Sequence, residues 1–312
     1  MRRTVAILLM LIMCTVCTGC ADITELGDRA IIQLAAIDHE DGQYRLSALL
    51  FSAGGSGGTI DATKSNVIKV TGSGKTLGEA VKQLSLTDGK DIYMSESKLL
   101  VFGSGFEDAD IISVLNMLYR DMRCSLNTPI CCAERAELLT DMEFTEGMTS
   151  AEKPYSMILN AYLTGVSPYT TLLDVLADDM GGRKTLIPSF AEGKNGSGMT
   201  TDKDGRTVVL DGARLIVDGK LGIHADNEET SGFMLLSEGS DGMPLNYMLD
   251  EGELTCEAYN IKVEQDDKGY PQIEASFRTR TGQKLTEEQE QQARKELDSM
   301  ARAGLSLWRE AQ

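Results

Sequence analysis

Apolar positions along this chain follow two spacings, and each marks a different kind of element. Continuous or alternating apolar runs bounded by Asp-Gly or glycine-rich breaks predict strands over Ile31–Ile37, Tyr44–Phe51, Val67–Val70 and Lys98–Phe102. Asp41-Gly42 joins the first two as a hairpin turn, because both central residues of such a turn take positive φ. Apolar residues three and four apart predict helices instead. Leu77, Ala80, Val81 and Leu84 share one face, and Ile111, Ile112, Leu115, Leu118 and Tyr119 share another within Asp108–Asp121. Cys124–Cys132 reads as extended, followed by shorter helical segments near Glu134–Leu139, Tyr155–Leu163 and Thr171–Met180.

After Leu186-Ile187-Pro188 the pattern gives way to the polar, glycine-rich run AEGKNGSGMTTDKDG, which marks a domain boundary. A hairpin follows, Val208–Val217 and Lys220–Ile223 around Asp218-Gly219, and Asp226 with Glu229 forms a capping box that opens a helix through Leu236. A second hairpin pairs Thr255–Glu264 with Tyr270–Thr279 around Asp266–Gly269. The final helix opens on a capping box of Thr286 and Gln289. It carries Ala293, Leu297, Met300, Ala301, Gly304, Leu305 and Trp308 on one face, a stripe that needs a surface to bury against. Strands alternating with helices imply an α+β (mixed α/β) fold with sheets covered by helices. The expected division is an N-terminal α/β domain over 20–190, a linker over 191–206 and a hairpin-rich C-terminal α+β domain over 207–312. The run AGGSGGT, residues 53–59, reads as a flexible connection.

The first twenty residues, MRRTVAILLMLIMCTVCTGC, have a different composition. Arg2 and Arg3 precede an apolar run over Val5–Met13 that is too short to span a bilayer well, and Thr18-Gly19 leads into Cys20. This predicts an export signal over 1–19 of the bacterial lipoprotein type, in which the Cys20 thiol is acylated and becomes the new N-terminus. Cys17 stands where such signals usually carry Leu. The simpler reading is a secreted protein with an unmodified Cys20. Two acyl chains would anchor stably where one is marginal.

Charge then narrows the partners. The 312-residue chain holds 30 Lys+Arg against 48 Asp+Glu, a net charge of −18. Removing residues 1–19 leaves 28 basic and 48 acidic residues, a net charge of −20. No nucleic-acid partner is expected, because counterion release needs clustered cations. An anionic leaflet repels such a body, so its anchor has to hold it there.

Candidate chemistry is sparse. Gly72–Thr76, GSGKT, invites a phosphate-loop reading, but the glycine that such a loop needs five residues before Gly74 falls on Lys69. Thr76 with Glu79 instead makes a capping box for the following helix. The adjacent acids Asp178-Asp179, Glu228-Glu229 and Asp266-Asp267 read as a helix end, a capping turn and a hairpin tip, not as a glycosidase pair. The two histidines, His39 and His224, read as exposed, and no GxSxG is present. Cys124, Cys131 and Cys132 sit in apolar context, for which buried thiols are the default. With Cys256 they form no CxxC pair, and sequence alone does not assign their disulfide state. No enzymatic activity, cofactor or metal is expected.

The segments beyond Cys20 resemble the Ger(x)C lipoproteins, the C subunits of spore germination receptors. Cys20, Glu25-Leu26, Asp28 and the strand Ile31–Asp38 follow that family's opening, with Ala21 in place of its usual Trp. Gly74-Lys75-Thr76 with Glu79-Ala80 matches next, then Tyr93–Gly103 with Lys98 entering Leu99–Phe102, where the family's usual His is lost at Ser97. Arg120-Asp121 and Arg123–Ala133 follow in family order, then Gly212-Ala213, Lys220-Leu221-Gly222 and Glu228-Glu229-Thr230. Members usually continue into further strands after the terminal helix, whereas this sequence stops at Gln312, as a truncated or a naturally short last module would. The resemblance implies a non-enzymatic subunit, lipid-anchored at Cys20 on the outer face of the spore inner membrane. Its partners would be the integral membrane A and B subunits of a germinant receptor, one of which resembles amino-acid transporters. The competing expectation is a solute-binding lipoprotein of a membrane transporter, which would need long βα alternation in both halves.

Overall fold

The computed structural model describes residues 29–51, 67–142, 151–193, 200–201, 206–238, 243–249, 252–265, 270–279, 282 and 284–311. Cys20, the signal, the run over residues 53–59 and the tip Asp266–Gly269 lie outside them.

Four parallel strands form the centre: β1 (Arg29–Glu40), β5 (Leu99–Phe102), β6 (Ile130–Ala133) and β7 (Thr185–Glu192). Every residue of β5 and β6 is buried, as expected of parallel strands covered on both faces. Antiparallel strands extend both edges: β2 (Gln43–Phe51) and β3 (Val67–Gly74) beyond β1, and β9 (Thr207–Val217) and β10 (Lys220–Ala225) beyond β7. The short strands β4 (Asp91–Tyr93) and β8 (Thr200–Thr201) pair with β1 and β9, completing a ten-stranded sheet. Residues 207–225, which the sequence reading put in the second domain, are thus hydrogen-bonded into the first sheet through β7.

Alternation along the central strands feeds two cores. Leu100, Phe102, Ile130 and Cys132 face one side, against α1 (Leu77–Asp88), α2 (Ile111–Arg120) and α5 (Leu172–Met180). Leu99, Val101, Cys131 and Ala133 face the other, against α3 (Leu138–Asp141) and α4 (Glu152–Leu163). In β1 the register shifts between Ile32 and Leu34. The strand then supplies Leu34 and Ala36 to the second core and Ala35 and Ile37 to the first.

The last part is a three-stranded antiparallel sheet, β11 (Met243–Leu249), β12 (Gly252–Gln265) and β13 (Pro271–Thr279). The terminal helix α7 (Glu287–Ala311) and α6 (Asn227–Glu238) supply its core, with Leu235, Ala293, Leu297 and Trp308 against Cys256, Ala258 and Phe277. The stripe read from the sequence therefore buries here, joined by Leu307, which contacts the large sheet through Leu186 and Leu215. Gly232 and Gly304 let α6 and α7 touch backbone to backbone; a Cβ on either would overlap the other helix.

Candidate functional site

Where the sequence suggested a phosphate loop, the chain is strand. Gly72 to Gly74 continue β3, paired with Leu46 to Tyr44. Their glycines are explained by packing: a Cβ on Gly72 would run into the Ala80 carbonyl and the Leu84 amide of α1. Thr76 caps α1, its Oγ1 accepting from the Glu79 amide at 3.2 Å. The Glu79 carboxylate accepts from the Lys75 amide at 2.8 Å, one residue earlier than a capping box requires. The Thr76 hydroxyl and the Lys75 amide are both used in starting the helix.

The other motifs also resolve into structure. Asp226 and Glu229 exchange the two hydrogen bonds of a capping box, at 2.9 and 3.0 Å, as do Thr286 and Gln289 at 3.0 and 3.3 Å. Glu228-Glu229 opens α6, and Asp178 pairs with Arg183 at 2.7 Å. His224 approaches the Asp211 carbonyl at 2.8 Å. His39 departs from expectation: it closes β1 half-buried, with its ring 4.6 Å from Tyr44 and 6.5 Å from Phe106. Tyr119, expected toward the core, is 44% exposed, and Val114 takes the buried place instead. Cys124, Cys131, Cys132 and Cys256 are all buried thiols, with none in a disulfide. Burial raises the thiol pKa of Cys124, drives that of Cys131 well up, and pushes that of Cys132 to about 12. None is an available nucleophile. Among the described residues, no group of three or more His, Cys, Asp or Glu could hold a metal ion.

Two features were not legible in the sequence. At the carboxyl end of β1, Asp38 is only 6% exposed. Its carboxylate accepts from the Ala136 amide at 2.9 Å, and any side chain on Gly103 would occupy its place. Burial raises its pKa from 3.8 to about 6; the Ala136 hydrogen bond opposes this, nearby Glu40 and Glu137 add to it, and Arg45 opposes it. Glu137 in turn accepts from Ser47 Oγ at 2.7 Å and lies 3.5 Å from Arg45, while Lys69 pairs with Asp141. These contacts fasten the segment after β6 across β1, β2 and β3.

The second is a cleft of about 790 Å³ between the sheet and the α6–α7 layer. Tyr169, Asp174, Asp178, Arg183 and Lys184 line one wall, and Phe233 and Trp308 the other. Burial first, then Tyr155, raises the Tyr169 phenol to about 12, so it stays a neutral donor. The charged groups are occupied by neighbours: Asp174 by the Thr171 cap, Asp178 by Arg183 and Thr185, Lys184 by the Glu310 carbonyl. Apolar rings beside satisfied polar groups suit a bound side chain or small molecule.

Fold and site together define an α+β protein whose described residues assemble a cleft and a fastened carboxylate. Residues 22–191, more than half of the chain, match the family model described as the spore germination protein N-terminal domain. The chain therefore belongs to the family of spore germination receptor C subunits, and its role is in spore germination. A solved structure, titled the crystal structure of the GerBC protein, is similar at 17% identity and a TM-score of 0.45, covering 86% of this chain and 79% of that one. No curated protein matches the sequence.

Proposed function

We propose that this chain is a lipid-anchored, non-enzymatic subunit of a nutrient germinant receptor. Acylated Cys20 holds it on the outer face of the spore inner membrane, where it assembles with two integral membrane subunits and acts by binding them. The observation that carries this reading is the family match, which starts at residue 22, directly behind the Thr18-Gly19-Cys20 signal. Among the described residues no helix is long and apolar enough to cross a membrane, so attachment in this reading falls to the anchor. The −20 charge of the mature chain favours partner surfaces of opposite sign and sets partner choice more than affinity. A solute-binding lipoprotein would need βα alternation in both halves. Here the sheet instead closes with the β9–β10 hairpin, and the rest is an antiparallel sheet backed by helices.

Germination of a Cys20→Ala strain tests the reading, with palmitate labelling of the wild-type chain alongside. Loss of label together with strongly reduced germination is expected. Normal germination of a strain lacking this chain, with no related subunit to replace it, would overturn it.

A further inference from the structure

The surface of the large sheet differs at its two ends. Of the ten large apolar side chains that stand exposed among the described residues, seven lie at the end where the parallel strands begin. Leu86 is 75% exposed near the end of α1, just before β4 pairs with the start of β1. Tyr119 stands near the end of α2, where the Cys124 amide bonds back to the Leu118 carbonyl. Leu163, 66% exposed, and Tyr162 close α4, and the Tyr162 ring lies 5.9 Å from Tyr169, which adjoins the Thr170 carbonyl that receives the first amide of β6. Val166 follows them. Leu173 opens α5 against the Leu126 carbonyl, and Met180, 88% exposed, ends it just before β7. Four different helices or their ends therefore present separate apolar tips at one end of the sheet.

A hollow between these tips is lined by Arg29, Lys82 and Arg123 together with Asp91 and Asp121. The opposite end, where the parallel strands finish, exposes among the described residues no such apolar tips but Glu40, Asp41 and Glu134 beside Arg45 and Arg135, with Glu107 paired to Arg214. Arg29 also begins β1 only nine residues after Cys20, a reach of at most about 30 Å, whereas the 12 residues of β1 alone extend about 40 Å.

We propose that the end of the sheet where the parallel strands begin rests on the lipid surface, with Leu86, Leu163 and Met180 entering the headgroup layer, Tyr119 and Tyr162 at its boundary, and Arg29 and Arg123 facing anionic headgroups. A protein partner would require a contiguous, complementary patch. A bilayer interface accepts scattered leucine and methionine tips flanked by tyrosine and arginine, the mixture found here. The proposal rests on acylation of Cys20, and its test separates the two.

Single cysteines placed by Leu86→Cys, Leu163→Cys and, at the opposite end, Glu134→Cys carry an environment-sensitive fluorophore on the lipidated full chain, mixed with phosphatidylcholine vesicles containing phosphatidylglycerol. Flotation with the vesicles reports the anchor; emission and quenching by shallow spin-labelled lipid report the surface. Co-flotation with a blue shift and quenching at positions 86 and 163, and neither at 134, is expected. Co-flotation with all three labels equally solvated overturns the lipid-facing end and leaves the anchor standing. A shift at 86 and 163 only when the membrane subunits are present makes this end a protein interface and overturns the proposal. Absence of flotation overturns the anchor, and the proposal with it.

Discussion

A carboxylate taken out of water needs compensation, and Asp38 receives only part of it. One amide donor, from Ala136, meets its buried group, while Glu40 and Glu137 add repulsion. The folded-state pKa of about 6 lies above the ordinary 3.8, so between these values the folded chain binds more protons than the unfolded one. The contribution of this residue to stability is then fully present below about 4 and lost as pH rises through about 6. Asp38→Asn keeps an acceptor for the Ala136 amide without the charge. Denaturant midpoints of the two proteins should therefore diverge as pH rises through this window, with the variant gaining relative to wild type. A difference independent of pH would contradict the assignment. The thiols give a second residue-scale expectation. With Cys20 acylated or replaced, maleimide should modify none of Cys124, Cys131, Cys132 and Cys256 in the native protein and all four after denaturation. Rapid native labelling of any of them would contradict their burial. Neighbouring Cys131 and Cys132 point to opposite faces of β6, which explains why these adjacent cysteines stay unpaired.

At the scale of elements, GSGKT shows how one string of residues supports two local readings. Glycine ahead of Lys-Thr and a helix is shared by a phosphate loop and by a strand that a helix must approach closely, and only the contacts of Gly72 with α1 separate them. Gly72→Ala should destabilise the protein by about 1–3 kcal/mol, as inserting a methyl group into a packed interface does. Thr76→Ala should cost about 1 kcal/mol through the lost cap. Chemical denaturation measures both, and a neutral Gly72→Ala would show that β3 and α1 are not in close contact. Most elements were legible because their spacing was strong: β1 with β2, the β9–β10 hairpin and α7 all stand where the periodicity placed them. β7 was hidden because Pro188 interrupts it; the ladder absorbs the missing donor at a register shift between Pro188 and Phe190. In β11 the run MPLNYML carries a proline and an asparagine among its apolar residues, leaving no regular alternation. Tyr119 was misplaced because it adjoins the buried stripe Ile111, Val114, Leu115 and Leu118 in sequence but falls just outside it around the helix.

For the whole molecule, the family was legible in dispersed short motifs, whereas the cleft was not. Its walls come from α5, β7, α6 and α7, with Trp308 more than a hundred residues from Asp174, and no local spacing encodes their meeting. Asp38 was visible only as the polar end of an apolar strand; its burial depends on Gly103 and on the segment after β6, about a hundred residues away. The exposed apolar side chains take on a direction in the fold, most of them standing where the parallel strands begin. The central claim is that this chain works as an anchored subunit of a membrane receptor. Affinity purification of the mature chain from detergent-solubilised spore inner membranes tests it most directly. The account predicts that both integral membrane subunits co-purify with the wild-type chain and are lost with Cys20→Ala; recovery of the wild-type chain without either subunit would contradict it.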